Sequence, residues 1–330
     1  MQIGLFRGGK FAESNLARAT DTDASELAYQ LITLEKRVFS RRGELIDMKK
    51  VIPLAILALI LVPAYVVAAK SDTASSPKPS IVLVHGAWAD GSSWSGVVAR
   101  LQDDGYTVYV PPNPLRGLAS DNASLRSFLA TITGPIVLVG HSYGGAVITN
   151  AATGNPNVKA LVFVDAFAPD QGESLGALSS APPPPGLNAS CLDPTQSFNF
   201  VPIKGDVDVY LKPSIFPSCF ANDLSVDKAT VLASVQRPLA LSVLGEKSGA
   251  PAWKTIPSWY LIGKLDLVIP PYAQFFMAQR AHAAIAYVNA AHPSMISHPE
   301  AATDLIEQAA QTITGNSDTN SRLALVPTSL

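Results

Sequence analysis

The chain has 330 residues and a net charge of −2, with 48% hydrophobic and 15% charged residues. This composition excludes a disordered chain and can bury a large core, as one α/β domain with appendages or as two domains. The 24 basic residues do not exceed the 26 acidic ones. Nucleic acid is therefore not an expected partner, and two cysteines exclude a Cys-rich zinc site or a multi-bridge scaffold.

In chain order, the first feature is an uncharged apolar block from Val51 to Ala69, preceded by Met48-Lys49-Lys50 and ending in the small residues Val67-Ala68-Ala69. A basic start, an apolar middle and a small-residue end are the parts of a secretory signal. The alternative is a signal anchor, since nineteen apolar residues nearly span a bilayer. Residues 48–69 are thus expected to direct export to the periplasm or the medium, with membrane attachment only if 51–69 is retained. Residues 1–47 are expected to be a gene-model extension before a true start at Met48, or else a short cytoplasmic tail. Residues 70–79 read as a linker, 80–314 as the main domain and 315–330 as a polar, mobile tail.

The main domain alternates strand and helix. Ile81–Val84 reads as a strand, and 93–103 as a helix with Trp94, Val97, Val98 and Leu101 on one face. Tyr106–Val110 reads as a second strand and 122–131 as a helix. Pro135–Val139 is an entirely apolar third strand, as in a sheet covered on both faces. A helix begins at Ser142, and Val158–Val164 is a fourth strand. Ser258–Ile262 and Ile285–Val288 are a fifth and a sixth, with helices over 271–283 and 299–314. Such alternation implies parallel strands joined by right-handed crossovers. Between the fourth and fifth strands, about 166–256 break the rhythm with a proline run at 182–185, both cysteines, and helix-like pieces at 226–234 and 238–244. A structureless loop of that length is implausible, so the segment is expected to be an inserted cap.

The chemistry concentrates in Gly140-His141-Ser142-Tyr143-Gly144, a G-x-S-x-G pentapeptide directly after an apolar strand and before a helix. A sharp turn there would lift the Ser142 hydroxyl above the strand ends, with glycines where side chains would collide. A bare serine needs a base. Of five histidines, His85 and His141 belong to the motifs beside the first and third strands, and His282 sits late in a helix. His292 follows the sixth strand, whereas His298 opens the last helix, so His292 is the expected base. Two aspartates could orient it, Asp165 after the fourth strand and Asp266 after the fifth. Asp266 lies in the loop next to that of His292 and is favoured, with Asp165 as the alternative. Tyr143 and Ala87 are the expected backbone donors to an oxyanion.

Val84-His85-Gly86-Ala87-Trp88, Gly140-His141-Ser142-Tyr143-Gly144-Gly145, Asp266-Leu267-Val268-Ile269-Pro270-Pro271 and His292 with Ser297-His298-Pro299-Glu300 together resemble the α/β-hydrolase superfamily. Within it they are similar to small bacterial esterase-like hydrolases related to plant methylesterases and hydroxynitrile lyases. The resemblance covers about residues 80–312. It implies an α/β-hydrolase fold of about six mainly parallel strands flanked by helices, with the cap between the fourth and fifth, no cofactor, no metal, and the triad Ser142, Asp266 and His292. The lyase branch tends to carry threonine where Gly86 stands and lysine where Pro293 stands, so ester hydrolysis is expected over cyanohydrin cleavage.

The expected function is cleavage of small apolar esters through an acyl-enzyme, with a small-molecule ester as partner. Trp88, Phe198, Phe200, Phe216, Trp253 and Met295 are candidates for an apolar pocket. The alternatives are a ligand-binding protein on a hydrolase fold, or a hydrolase of lactones or carbon–carbon bonds. In an oxidising compartment Cys191 and Cys219 are expected to pair, contributing roughly 3–4 kcal/mol in the chain-entropy account.

Overall fold

The computed structural model describes residues 77–315. The extension, the apolar segment, most of the linker and all but the first residue of the tail lie outside the described residues. Among the described residues, no helix is long and apolar enough to cross a membrane.

Six strands form the central sheet: β1 (Ser80–Val84), β2 (Val108–Tyr109), β3 (Ile136–His141), β4 (Val158–Val164), β8 (Ser258–Gly263) and β9 (Ala284–Val288). Their order is β2-β1-β3-β4-β8-β9, and every neighbouring pair is parallel. Three further strands, β5 (Phe198–Ile203), β6 (Asp206–Leu211) and β7 (Leu239–Ala240), form a small antiparallel sheet in the cap. The helices are α1 (Ser95–Asp103), α2 (Leu118–Leu129), α3 (Tyr143–Ala151), α4 (Leu175–Ser179), α5 (Val226–Val235), α6 (Pro271–Arg280), α7 (Ser294–Ser297) and α8 (Pro299–Thr314).

Strand alternation sorts the core onto two faces. Ile81, Leu83, Val137, Val139, Val162, Val164 and Leu261 point to one side, where α1 and α8 cover them. Val82, Val84, Leu138, Leu161, Phe163, Tyr260 and Ile262 point to the other, against α2, α3, α6 and the cap. The helices follow the same logic. Leu305, Ile306, Ala309 and Ala310 of α8 recur at helical spacing and are buried, and the helix ends at Gly315 with φ +75°.

The structure corrects several element boundaries. Only Val108–Tyr109 of the second predicted strand pairs with the sheet. Gly105 turns back at φ +77°, and the Tyr106 amide is spent on the Leu101 carbonyl at 2.9 Å. Helix α2 begins at Leu118, four residues early, because the Asp121 carboxylate accepts from the Arg116 amide and organises its entry. The helix predicted over 271–283 ends at Arg280. The helix-like piece 238–244 is instead strand β7 followed by a short 3-10 turn, since the Ala240 amide bonds to Leu115 and β7 pairs with β6. The β5–β6 hairpin turns at Gly205, with φ +84°.

The tightest packing surrounds α3. A Cβ on Gly145 would lie 2.4 Å from the Phe167 carbonyl oxygen and 2.7 Å from Ala166 Cβ. Gly145→Ala should therefore lower stability by about 1–3 kcal/mol. A urea midpoint equal to that of the wild type would show that the backbone there yields freely.

Candidate active site

Ser142, Asp165, Asp266 and His292 each follow a strand at the C-terminal edge of the parallel sheet, where open α/β sheets hold their ligands. Ser142 follows β3 and heads α3 with φ +52° and ψ −124°, a conformation that a side chain adopts only under constraint. The surrounding glycines supply the constraint. A Cβ on Gly140 would stand 2.6 Å from the Gly144 carbonyl oxygen, one on Gly144 2.5 Å from that of Val84, and one on Gly86 2.6 Å from Ser142 Cβ.

His292 Nε2 lies 2.9 Å from Ser142 Oγ, and His292 Nδ1 lies 2.8 Å from Asp266 Oδ2. All three side chains are nearly or fully buried. Burial lowers the His292 pKa to about 3, so its imidazole is neutral at neutral pH. Nδ1–H then donates to Asp266 and Nε2 is free to accept the serine proton. Asp266 also accepts from the amides of Val268 (2.7 Å) and Ile269 (3.0 Å) and from Gln274 Nε2 (2.7 Å). Burial pushes this carboxyl well above its usual range, against the opposing pull of the Ile269 and Val268 amides. Gln274, on α6, also donates to the Ile269 carbonyl. Its contribution was not readable beforehand, since a glutamine inside an amphipathic helix carries no signal of its own.

Asp165 does not reach His292. Its Oδ1 accepts from the Gly263 amide at 2.8 Å, and its Oδ2 meets the Ser294 hydroxyl and, at 3.4 Å, the Ser294 amide. It therefore ties the start of the Asp266 loop to the residue two beyond His292. Burial, and next the charge of Asp266, push the Asp165 carboxyl well above its usual range. His298 is also remote, opening α8 with its ring 3.1 Å from Glu300. His282 follows α6 on the surface. His85 and His141 are buried and held low, chiefly by desolvation. His141 Nε2 donates to the His292 carbonyl at 3.0 Å, and His85 Nε2 accepts the Asn113 amide at 3.1 Å.

A cavity of about 610 Å³ opens at Ser142, with Ala87 and Tyr143 in its wall. The Tyr143 hydroxyl points away and donates to Asp121 at 2.8 Å, leaving its backbone at the serine. Of the predicted pocket aromatics, Trp88, Phe198 and Phe200 line this cavity. Phe216, Trp253 and Met295 do not. Phe216 and Met295 line a separate small recess near His141, and the Trp253 indole donates to the Pro169 carbonyl at 3.1 Å, against Arg280. Composition marks such residues as apolar, but only the packing tells core from cavity. Phe167, Leu175, Leu239 and Leu244 are among the other apolar residues of the wall. Among the described residues, no three His, Cys, Asp or Glu side chains gather as a metal site.

The cap is fastened to each loop of the site. Cys191 and Cys219 are joined in a disulfide, with Cα atoms 5.9 Å apart. The Cys191 amide donates to Leu267 at 2.8 Å, and the Ser190 hydroxyl to Val268 at 2.8 Å. Asn222 Nδ2 reaches Leu265 at 3.2 Å, and Asp223 Oδ2 accepts the Ala291 amide at 2.9 Å. Trp88 is held by Arg237 through its amide and by Val209 through its indole.

The model of the alpha/beta hydrolase family matches residues 81–305, and the chain belongs to that family. A carbendazim hydrolyzing esterase from Nocardioides sp. (strain SG-4G) is 34% identical over an alignment of 157 positions that covers 38% of this chain and 65% of that esterase. The chain thus aligns with slightly less than two thirds of that relative. The solved structure of a pyrethroid hydrolase from Sphingobium faniae JZ-2 superposes with a TM-score of 0.60 at 21% identity, covering 71% of this chain and 97% of that one. A methylesterase from Arabidopsis superposes with a TM-score of 0.56 at 16% identity, covering 72% and 99%. At these identities the two structures establish likeness of fold.

The two ends of the Asp165 bridge make a separable prediction. Ser294→Ala should cost about 1–3 kcal/mol by leaving a buried carboxyl oxygen short of a donor. Denaturant titration checks this, and an unchanged midpoint would mean that the Ser294 hydroxyl does not support the bridge.

Proposed function

We propose that the protein is a serine carboxylesterase acting on uncharged apolar esters. The observation that carries this reading is the unbroken hydrogen-bonded line from Ser142 Oγ through His292 to Asp266, opening into an apolar cavity. Membership of the hydrolase family and the 34% identity to an esterase support it.

In the proposed reaction, Ser142 Oγ attacks the ester carbonyl while His292 Nε2 takes its proton. The backbone amides of Ala87 and Tyr143 receive the developing oxyanion, and the N-terminus of α3 adds a favourable field. Asp266 holds the imidazole in the Nδ1–H tautomer and stabilises its cation. The tetrahedral intermediate collapses, and the alcohol leaves with the proton from His292. Water then attacks the acyl-serine, giving its proton to His292, and the carboxylic acid departs as Ser142 regains its hydrogen. Export remains part of the proposal, resting on the apolar segment 51–69 and the disulfide.

Ser142→Ala should lower kcat by about a millionfold on a short ester such as p-nitrophenyl butyrate. Asp266→Asn should lower it by about ten-thousandfold through the wrong tautomer. Asp165→Asn should cost less activity and more stability. Steady-state kinetics beside urea unfolding separates these effects, and a larger kcat loss for Asp165→Asn would transfer the orienting role to Asp165.

The pH profile supplies a further test. A base must be neutral to act, and burial lowers the His292 pKa to about 3. Activity should therefore persist as pH falls through 6.5 and be lost only nearer the depressed value. An acidic limb of kcat/KM centred at or above 6.5 would contradict a base held neutral by burial.

A further inference from the structure

Two of the cavities beneath the cap adjoin one another. The first, about 610 Å³, opens at Ser142. The second, about 300 Å³, lies against α6, with Tyr272, Ala273, Phe276 and Met277 in its wall. Phe167, Ser179, Ala181, Pro182, Ser190 and Val268 line both, so the divide is one residue thick.

The divide is assembled from two sides. Phe167 follows β4, and its amide donates to the Ser142 carbonyl at 3.1 Å. Val268 belongs to the Asp266 loop. The other residues come from the cap, whose stretch 181–189 includes four prolines without an amide hydrogen. Among the described hydrogen bonds, that of Leu187 to Pro184 is internal to this stretch, and the next anchor to the core is the Ser190 hydroxyl. Between Ser180 and Ser190 the cap side of the divide is therefore held by packing alone.

Charge narrows the ligand. The first cavity has one charged lining residue, the exposed Asp193, and the second has none. A carboxylate or phosphate in the second cavity would be desolvated without a cation. Both volumes lie within the range of small-molecule sites, and the first is already generous for a short ester.

The geometry points to a two-chamber substrate site, in which the second cavity takes the far end of a long, uncharged apolar substituent of the ester held at Ser142. Phe167, at the boundary, sets which substituents pass. This inference rests on the ester-hydrolase reading and names the substrate class within it.

Each buried methylene is worth about 0.8 kcal/mol, about fourfold in kcat/KM. Ala273→Phe should fill the second chamber. Phe276→Ser changes its exposed rim and spares the core, since Phe276 is 55% exposed. Two ester series compare short with long chains. They are p-nitrophenyl butyrate against p-nitrophenyl laurate, and butyl acetate against dodecyl acetate followed by proton release. In at least one series the wild type should prefer the long ester. Ala273→Phe should cut that preference more than tenfold and Phe276→Ser about fourfold, with the short ester changed less than twofold. Calorimetric binding of dodecanol against butanol, which needs no turnover, should show the same losses. A chain-length preference unmoved by both variants, in kinetics and in calorimetry, overturns the second chamber. Calorimetric preference that responds to the variants, in a protein that turns over no ester, upholds the chamber and overturns the ester reading alone.

Discussion

The constraint on which the site depends is the close backbone approach around Ser142. The residue turns at φ +52° between β3 and α3, and Gly86, Gly140, Gly144 and Gly145 stand where any Cβ would meet neighbouring atoms at 2.4–2.6 Å. No side-chain network holds the serine backbone up; the packing of strand, helix and neighbouring loops does. Because α3 is buried along its whole length, that turn cannot relax without disturbing the sheet. The strain is local, and the cores on both faces of the sheet sustain it.

Electrostatics then divides the work between two aspartates that look alike in the sequence. Both are fully buried at the ends of neighbouring parallel strands. Asp266 presents Oδ2 to His292, backed by two amides and Gln274. Asp165 presents its oxygens to Gly263 and Ser294, the flanks of the loops bearing Asp266 and His292. One carboxyl faces the imidazole, and the other clamps the frame around it. Three histidines are held low by burial, and two of them serve the backbone: His85 binds Asn113, and His141 binds the carbonyl of His292 itself.

Much of this could be read in advance because it is written in local patterns. Runs of five to seven residues, apolar apart from Lys159 and Ser258, marked β3, β4 and β8, since strands covered on both faces have little polar side. The glycine spacing around Ser142 and the loop positions of Asp266 and His292 followed from where parallel strands end. Elements decided by tertiary contact were harder. The β7 strand exists because β6 and Leu115 offer partners to a stretch whose composition reads as helical. The same holds for the pocket. Phe198 and Phe216 are equally aromatic, yet one lines the cavity and the other packs fully buried against Phe220, with ring centroids 4.5 Å apart and planes tilted by 41°. Gln274 became visible only once α6 had been set beside Asp266.

The cap's fastenings have a consequence for how such an enzyme can diversify. Asn222 and Asp223 hold the loops of Asp266 and His292, Cys191 and Ser190 grip Leu267 and Val268, and Val209 and Arg237 hold Trp88. The insertion is therefore a splint across the loops of Asp266 and His292 as well as a roof over them. A lid transplanted from a relative would arrive without these particular grips, and the recipient would lose the seating of the loops beneath it before it gained a new selectivity. Change in this chain is least encumbered along the proline stretch 181–189, where the described hydrogen bonds include none to the core.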